Sequence, residues 1–157
     1  MLKIHMNNLL ISLIVFLTYT VGITIKYGVQ ESISASWYKL NRVTWIFFTL
    51  FTWGTALPIL MLDLGMFYTL GAISLMFVGV AGAFRNDKMI KGLHLGFTYS
   101  SILFFCFALV LDGIWKPAAL TVIFVVSTTV IDMKNKIWWD EVFVYFAIMT
   151  GILKLMS

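Results

Sequence analysis

The sequence predicts an all-α polytopic membrane protein, a bundle of six transmembrane helices joined by short connections. Of its 157 residues, 61% are hydrophobic and only 11% are charged, whereas soluble domains carry about 25% charged residues. The apolar residues also fall into six runs separated by short polar turns. A soluble fold of this length would expose much of that apolar surface to water. The solvent for most of the chain is therefore expected to be lipid.

The six predicted spans form a single transmembrane domain over residues 1–157. They cover approximately residues 9–26, 44–62, 64–84, 93–111, 117–131 and 137–153. The first run ends without the small residues of a signal-peptide cleavage site, so we expect a retained helix. The fifth run is shorter than the ~20 residues of a full crossing. Trp115 and Lys116 can anchor it at the interface.

The longest polar interval follows the first span, over residues 27–43. If residues 32–42 are helical, Ile33, Trp37 and Leu40 share one face. That pattern is typical of a short helix lying in the headgroup region. An aromatic-anchored loop explains the same residues equally well.

Turn residues define the remaining connections. Asp63 and Gly65 indicate a very tight turn between the second and third spans, soon after Pro58. Asp112 begins a short turn after the fourth span, and Pro117 suits the first position of the fifth helix.

Small residues make the third helix the one most able to approach a neighbour closely. They are Gly71, Gly79, Gly82 and Ala83. Helices pack closely in membranes through such residues. We therefore expect the third and fourth helices to form a tightly packed hairpin.

The cations predict the orientation in the membrane. Eight of the 11 Lys and Arg residues lie in the first, third and fifth connections: Lys26, Lys39, Arg42, Arg85, Lys88, Lys91, Lys134 and Lys136. The positive-inside rule places these connections in the cytoplasm and both termini outside an inner (plasma) membrane. The net charge of +4 is thereby explained without a nucleic-acid partner, and the lipid bilayer is the expected partner.

His94 is the histidine that lies inside an apolar span, near the predicted cytoplasmic end of the fourth helix. Thr98 and Ser101 follow it at helical spacing and give that helix a polar stripe expected to face protein. Ionisable residues within a membrane are functional hypotheses by default. Structural hydrogen bonding is the simpler interpretation of His94, because it lies near an interface.

Carboxylates and serines provide the other candidates for chemistry. Asp140 and Glu141 lie in the first turn of the predicted sixth helix, where capping and pairing with nearby Lys134 and Lys136 explain them. Glu141 and Tyr145 also share a helical face that could line a cytoplasmic-side cavity. Ser34 could act as a nucleophile with His94 and either Asp87 or Glu141. However, the sequence has no G-x-S-x-G elbow, and a serine-rich turn is the commoner explanation.

No metal or cofactor site is predicted. His94 and Cys106, one histidine and one cysteine on the same helix, do not supply the three or four ligands of a metal site. The many aromatic residues are explained by packing and interfacial anchoring.

Two stretches carry a resemblance to known proteins. YGVQESISASWY, residues 27–38, follows the first span, and VGVAGAF, residues 78–84, precedes the turn that leads to His94. These motifs resemble a group of uncharacterised small multi-span integral membrane proteins of bacteria and their phages. The resemblance implies a multi-span fold in a bacterial membrane, and it does not imply any particular activity. Ceramidase-like seven-span hydrolases differ, because this sequence lacks their paired histidines and their seventh span.

The sequence thus predicts a non-enzymatic membrane module that binds lipid, a small molecule or another membrane protein, including a second copy of itself. The alternative is an intramembrane enzyme or small-molecule transporter with a cytoplasmic-side pocket around His94. Asp87, Arg85 and either Ser34 or Glu141 would complete that pocket. Convergence of these groups on one cavity would favour the alternative, whereas a hydrogen bond from His94 to a single backbone carbonyl would disfavour it.

Overall fold

The computed structural model describes residues 2–40, 46–81, 88–131 and 133–157. These residues form six α-helices, one short 3₁₀-helix over Ser34–Lys39 and no strand, which confirms the all-α prediction. The α-helices are α1 (Leu2–Tyr27), α2 (Ile46–Leu60), α3 (Met66–Ala81), α4 (Lys88–Leu111), α5 (Trp115–Val130) and α6 (Lys136–Met156). Each apolar run of the sequence corresponds to one helix.

Residues with positive φ form two of the connections. Asp63 (φ 50°) and Gly65 (φ 114°) make the tight turn between α2 and α3 that the sequence predicts. Gly113 (φ 74°) ends α4 in a Schellman motif, in which Ile114 N–H donates to Leu109 O at 2.7 Å. A glycine adopts this left-handed conformation without the steric penalty of a side chain.

The fifth helix begins two residues earlier than the sequence predicts. It starts at Trp115, so Pro117 occupies its third position rather than its first. Amide groups in the first turn of a helix have no partner within the helix, so proline is tolerated there as well.

Five of the helices form a closed ring. Consecutive contacts run from α1 through α2 and α3 to α4, and α6 closes the ring by packing on both α4 and α1. α5 packs on the outside, against α4 and α6. This arrangement leaves an enclosed space that α5 does not line.

The third and fourth helices form the most extensive interface of the fold, as the sequence predicts. Ser101 Oγ donates to Gly71 O at 2.9 Å, and a Cβ atom at Gly71 would contact the Phe105 ring at 3.0 Å. Gly79, in contrast, faces α2, where Thr49 Oγ1 donates to its carbonyl oxygen at 3.1 Å. Two small residues of α3 thus bring it close to two different helices. Gly82 and Ala83 lie outside the described residues.

The segment that follows α1 turns inward. Residues 32–42 were expected to form an interfacial helix or a loop, and the structure has the shorter 3₁₀-helix over Ser34–Lys39. Ile33, Ser36 and Leu40 are buried. We call residues 28–40 the capping loop, because they lie against one end of the ring.

Two stretches among the described residues are long and apolar enough to cross a membrane, namely His5–Tyr27 and Gly92–Leu111. The apolar helices over Ile46–Leu60, Met66–Val80 and Trp115–Val130 are shorter than this criterion requires. The residues on either side of the α2–α3 pair, 41–45 and 82–87, lie outside the described part of the chain.

Candidate functional site

The ring of five helices encloses a cavity of about 100 Å³. Its walls are largely apolar, with hydroxyl groups on α2, α4 and α6 and one carboxyl group. The lining side chains are Phe16, Ile33, Ser34, Phe48, Phe51, Thr52, Thr55, Ile59, Leu75, Val78, Thr98, Ser101, Ile102, Phe105, Glu141, Val144, Tyr145 and Ile148. A concave, largely apolar space with a few polar groups is the usual form of a small-molecule site.

Helical periodicity explains why α2 contributes so much of the wall. Phe48, Thr52, Thr55 and Ile59 recur at intervals of three and four residues, and all four are buried. Such spacing aligns side chains on one face of a helix. The inward face of α2 therefore has two hydroxyl groups between bulky apolar groups.

A stacked aromatic pair joins α1 to α6 at the cavity wall. The rings of Phe16 and Tyr145 lie 3.7 Å apart between centroids and 7° from parallel. Ser12 Oγ lies 3.0 Å from the Tyr145 hydroxyl oxygen and donates to Thr55 O at 2.8 Å. One serine thus links three helices, and the position of Tyr145 is held by both stacking and hydrogen bonding.

The capping loop closes one end of the ring and is tied to the start of α6. Trp138 N–H donates to Glu31 O at 3.1 Å, and Asn135 Nδ2 donates to Val29 O at 3.3 Å. On the α1 side, the Tyr19 hydroxyl lies 2.7 Å from Ser36 Oγ. The loop therefore bridges the end of the first helix and the beginning of the last.

Glu141 makes the central contact between the loop and α6. Its Oε2 accepts hydrogen bonds from the backbone N–H groups of Ile33 and Ser34, the latter at 3.4 Å. Its Oε1 accepts a hydrogen bond from Ser34 Oγ at 3.0 Å. The structure thus brings together Ser34 and Glu141, two of the residues singled out in the sequence, at the wall of the cavity.

The other serines of the loop serve its own geometry. Ser32 Oγ accepts a hydrogen bond from Ala35 N–H at 2.8 Å, and Ser36 Oγ donates to Ile33 O at 2.5 Å. Serine side chains commonly form such local bonds in tight turns. The serine-rich sequence is thereby explained as a folded turn, with Ser34 as the member that reaches α6.

His94 lies apart from this cluster. Its side chain is buried, and Nδ1 lies 3.2 Å from Val78 O on α3. Nε2 has no hydrogen-bond partner among the described residues. His94 is absent from the cavity lining, although Thr98 and Ser101 of its polar stripe are part of it. Ser34 instead bonds directly to Glu141, and among the described residues no hydrogen bond joins His94 to either of them.

The charged residues near the start of α6 differ from the expected lysine pairs. Asp140 Oδ1 accepts a hydrogen bond from Thr128 Oγ1 of α5 at 2.7 Å. Over the described ranges, neither Lys134 nor Lys136 forms an ion pair with Asp140 or Glu141. Asp87 and Arg85 lie outside the described residues. Within the described ranges, no three His, Cys, Asp or Glu residues are grouped so as to hold a metal ion.

No protein-family model, curated protein or solved structure matches this chain. The site is therefore interpreted from its own geometry.

Sequence reasoning found part of the cavity wall and missed the rest. It singled out Glu141 with Tyr145, and Thr98 with Ser101, from helical spacing. It missed Thr52 and Thr55, which lie within an apolar run. The signal that could have found them is their three- and four-residue spacing from Phe48 and Ile59.

Proposed function

We propose that this chain is an integral membrane protein that binds a small, largely apolar molecule in its central cavity and does not change it chemically. The observation that carries this proposal is the cavity within the five-helix ring, with the Glu141 carboxyl group and several hydroxyl groups in an otherwise apolar wall. Its volume of about 100 Å³ is below that of a drug-sized pocket. Since a water molecule takes up about 30 Å³ in the liquid, the expected occupant has only a few non-hydrogen atoms.

The outer surface supports the membrane part of the proposal. Large apolar side chains are exposed on every helix, with Ile25 81% exposed, Val130 77% and Met61 69%. Water would not tolerate an apolar surface of this extent, whereas lipid chains would cover it. α2, with 15 residues, has a length of roughly 22 Å at 1.5 Å per residue. A bilayer can thin locally around such short helices, and flanking residues can extend their reach.

The proposed orientation places the capping loop in the cytoplasm and both termini outside a bacterial plasma membrane. It is supported by the cation distribution along the chain. An up-and-down arrangement of six helices requires the C-terminal end of α1 and the beginning of α6 to lie on the same side. The hydrogen bond from Trp138 N–H to Glu31 O is consistent with this requirement. The cavity would then be closed from the cytoplasmic side by the capping loop.

Enzymatic or transport chemistry centred on His94 is disfavoured by the position of its ring. A general base must lie within hydrogen-bonding reach of the group that it deprotonates. Nδ1 of His94 is instead directed at the Val78 carbonyl oxygen. This contact holds α4 against α3 and is structural.

Binding in the cavity is tested by the thermal unfolding midpoint of the purified protein in detergent micelles. We expect at least one of three small probes, propan-1-ol, propylammonium chloride or sodium propionate, to raise the midpoint in a saturable way, because a ligand of the folded state stabilises it. The variant Val144→Phe fills the cavity and should abolish the rise. Val130→Phe, at an exposed site on α5, is the matched control and should retain it. The absence of a rise with all three probes would contradict the proposed function.

The membrane part is tested by cell fractionation and cysteine labelling. The chain should remain in the membrane pellet after alkaline carbonate extraction. In a Cys106→Ser background, a cysteine at position 88 should be labelled only from the cytoplasm and one at position 116 only from outside. Release of the chain into the supernatant would refute membrane insertion, and labelling from the opposite sides would refute the orientation.

A further inference from the structure

We propose that the polar end of the cavity's occupant is a hydrogen-bond donor, and that the occupant belongs to the class of short-chain primary alkylammonium ions. This inference rests on the proposed function. It follows from the direction of each hydrogen bond made by the polar groups that line the cavity. A hydroxyl group has one hydrogen to donate and two lone pairs with which to accept. Where the hydrogen is already used, the hydroxyl group can offer a ligand only its lone pairs.

The threonine hydroxyl groups of α2 donate their hydrogens to backbone carbonyl oxygens of the same helix. Thr52 Oγ1 donates to Thr49 O at 3.0 Å, and Thr55 Oγ1 donates to Phe51 O at 2.8 Å. A carbonyl oxygen can only accept, so the direction of both bonds is fixed. Neither threonine therefore has a hydroxyl hydrogen left to donate to a ligand.

The polar stripe of α4 behaves in the same way. Thr98 Oγ1 donates to His94 O at 2.9 Å, and Ser101 Oγ donates across the helix interface to Gly71 O at 2.9 Å. The stripe that the sequence singled out thus has no hydroxyl hydrogen left for a ligand.

The Tyr145 hydroxyl group is fixed by its neighbour. Ser12 Oγ donates its hydrogen to Thr55 O. In the 3.0 Å contact between Ser12 Oγ and the Tyr145 hydroxyl oxygen, Tyr145 must therefore be the donor. Tyr145 can then only accept from a ligand. Five hydroxyl groups of the cavity wall share this acceptor character: Thr52, Thr55, Thr98, Ser101 and Tyr145.

Glu141 adds an acceptor with remaining capacity. A carboxylate has about four lone-pair sites. Oε2 accepts from two backbone N–H groups and Oε1 from Ser34 Oγ. One site on Oε1 is left.

The charge balance favours a cationic donor. No Lys or Arg among the described residues forms an ion pair with Glu141, and the groups bonded to it, the backbone of Ile33 and Ser34 and the Ser34 hydroxyl, are all neutral. Glu141 is partly buried, and charges withdrawn from water in proteins are normally paired. An ammonium group has three donors and one positive charge, which match the acceptors and the carboxylate, while a short alkyl chain matches the apolar wall.

The inference is tested by isothermal titration of the folded protein in micelles with propylammonium chloride, propan-1-ol and sodium propionate, which share one chain length. We expect propylammonium to bind at least about tenfold more tightly than either of the others, since hydrogen bonds to charged groups are the stronger ones. Glu141→Gln, which removes the charge and keeps one acceptor oxygen, should remove this preference. Glu31→Gln is the matched control, because the Glu31 side chain is exposed and lies outside the cavity; it should change the affinity by less than about twofold.

The outcomes separate the two proposals. Equal or tighter binding of propan-1-ol or propionate would overturn the donor inference and leave the small-molecule site standing. The unfolding midpoint of Glu141→Gln will show whether this variant is folded. If the folded variant binds propylammonium as tightly as the unmodified chain does, the donor inference is also overturned and the small-molecule site still stands. If none of the three compounds binds, both the inference and the proposed function are overturned.

Discussion

Replacing Phe16 with alanine should lower the free energy of unfolding by about 3 kcal/mol, the lower end of the range for buried phenylalanine. Phe16 is only 4% exposed and stacks on Tyr145, and its ring also lies 6.0 Å from those of Phe51 and Phe146. The expected loss comes from missing packing contacts with α2 and α6. It lies at the lower end because the proposed lipid surroundings are themselves apolar, so little transfer energy is lost with the ring.

The measurement is equilibrium unfolding in detergent micelles, with Phe47→Ala as the matched control. Phe47 is 57% exposed on α2, and its removal should cost less than about 0.5 kcal/mol. Equal losses for the two variants would show that Phe16 is not part of a packed interface and would contradict the ring described above.

Gly79→Ala should destabilise the fold by about 2 kcal/mol through overpacking between α3 and α2. A Cβ atom at this position would lie 1.9 Å from Thr52 Oγ1 and 3.2 Å from the backbone Cα of Thr49. The threonine hydroxyl could rotate away, but the backbone contact requires the two helices to separate. Loss of the bond from Thr49 Oγ1 to Gly79 O should accompany this separation.

Gly96→Ala serves as the control for helix propensity. A Cβ atom at Gly96 would meet nothing within 4 Å, so alanine should stabilise the helix there by up to about 1 kcal/mol. Thermal unfolding of both variants in the same micelles checks the comparison. If Gly79→Ala is as stable as Gly96→Ala, the close approach of α3 to α2 is wrong.

The sequence predicts the helices well because local chemistry determines where they begin and end. Asp63, Gly65 and Gly113 stand at turns where positive φ is needed, and apolar runs define the segments between them. The start of α5 differs by two residues, because proline is tolerated throughout a first helical turn. These features depend on neighbours within a few residues and can therefore be read from the chain.

The capping loop was harder to predict because its partners are distant in sequence. Ile33 and Ser34 bond to Glu141, and the loop has a short 3₁₀-helix with buried apolar residues, where the sequence left open an interfacial helix over 32–42 and a loop. The spacing of apolar residues predicts which side of a segment is apolar, but it does not predict which other part of the chain packs against that side. For the same reason, the sequence analysis connected Ser34 and Glu141 only through His94 and did not predict their direct hydrogen bond.

The bond between Ile33 N–H and Glu141 joins residues 108 positions apart, which has a consequence for the order of assembly. Proteins are synthesised from the N-terminus, and domains generally fold in that order. The hairpins α1–α2 and α3–α4 are local and can form early, whereas contacts that close long loops form slowly. The capping loop therefore finds its partner only when α6 has been made, so closure of the ring follows the formation of both hairpins.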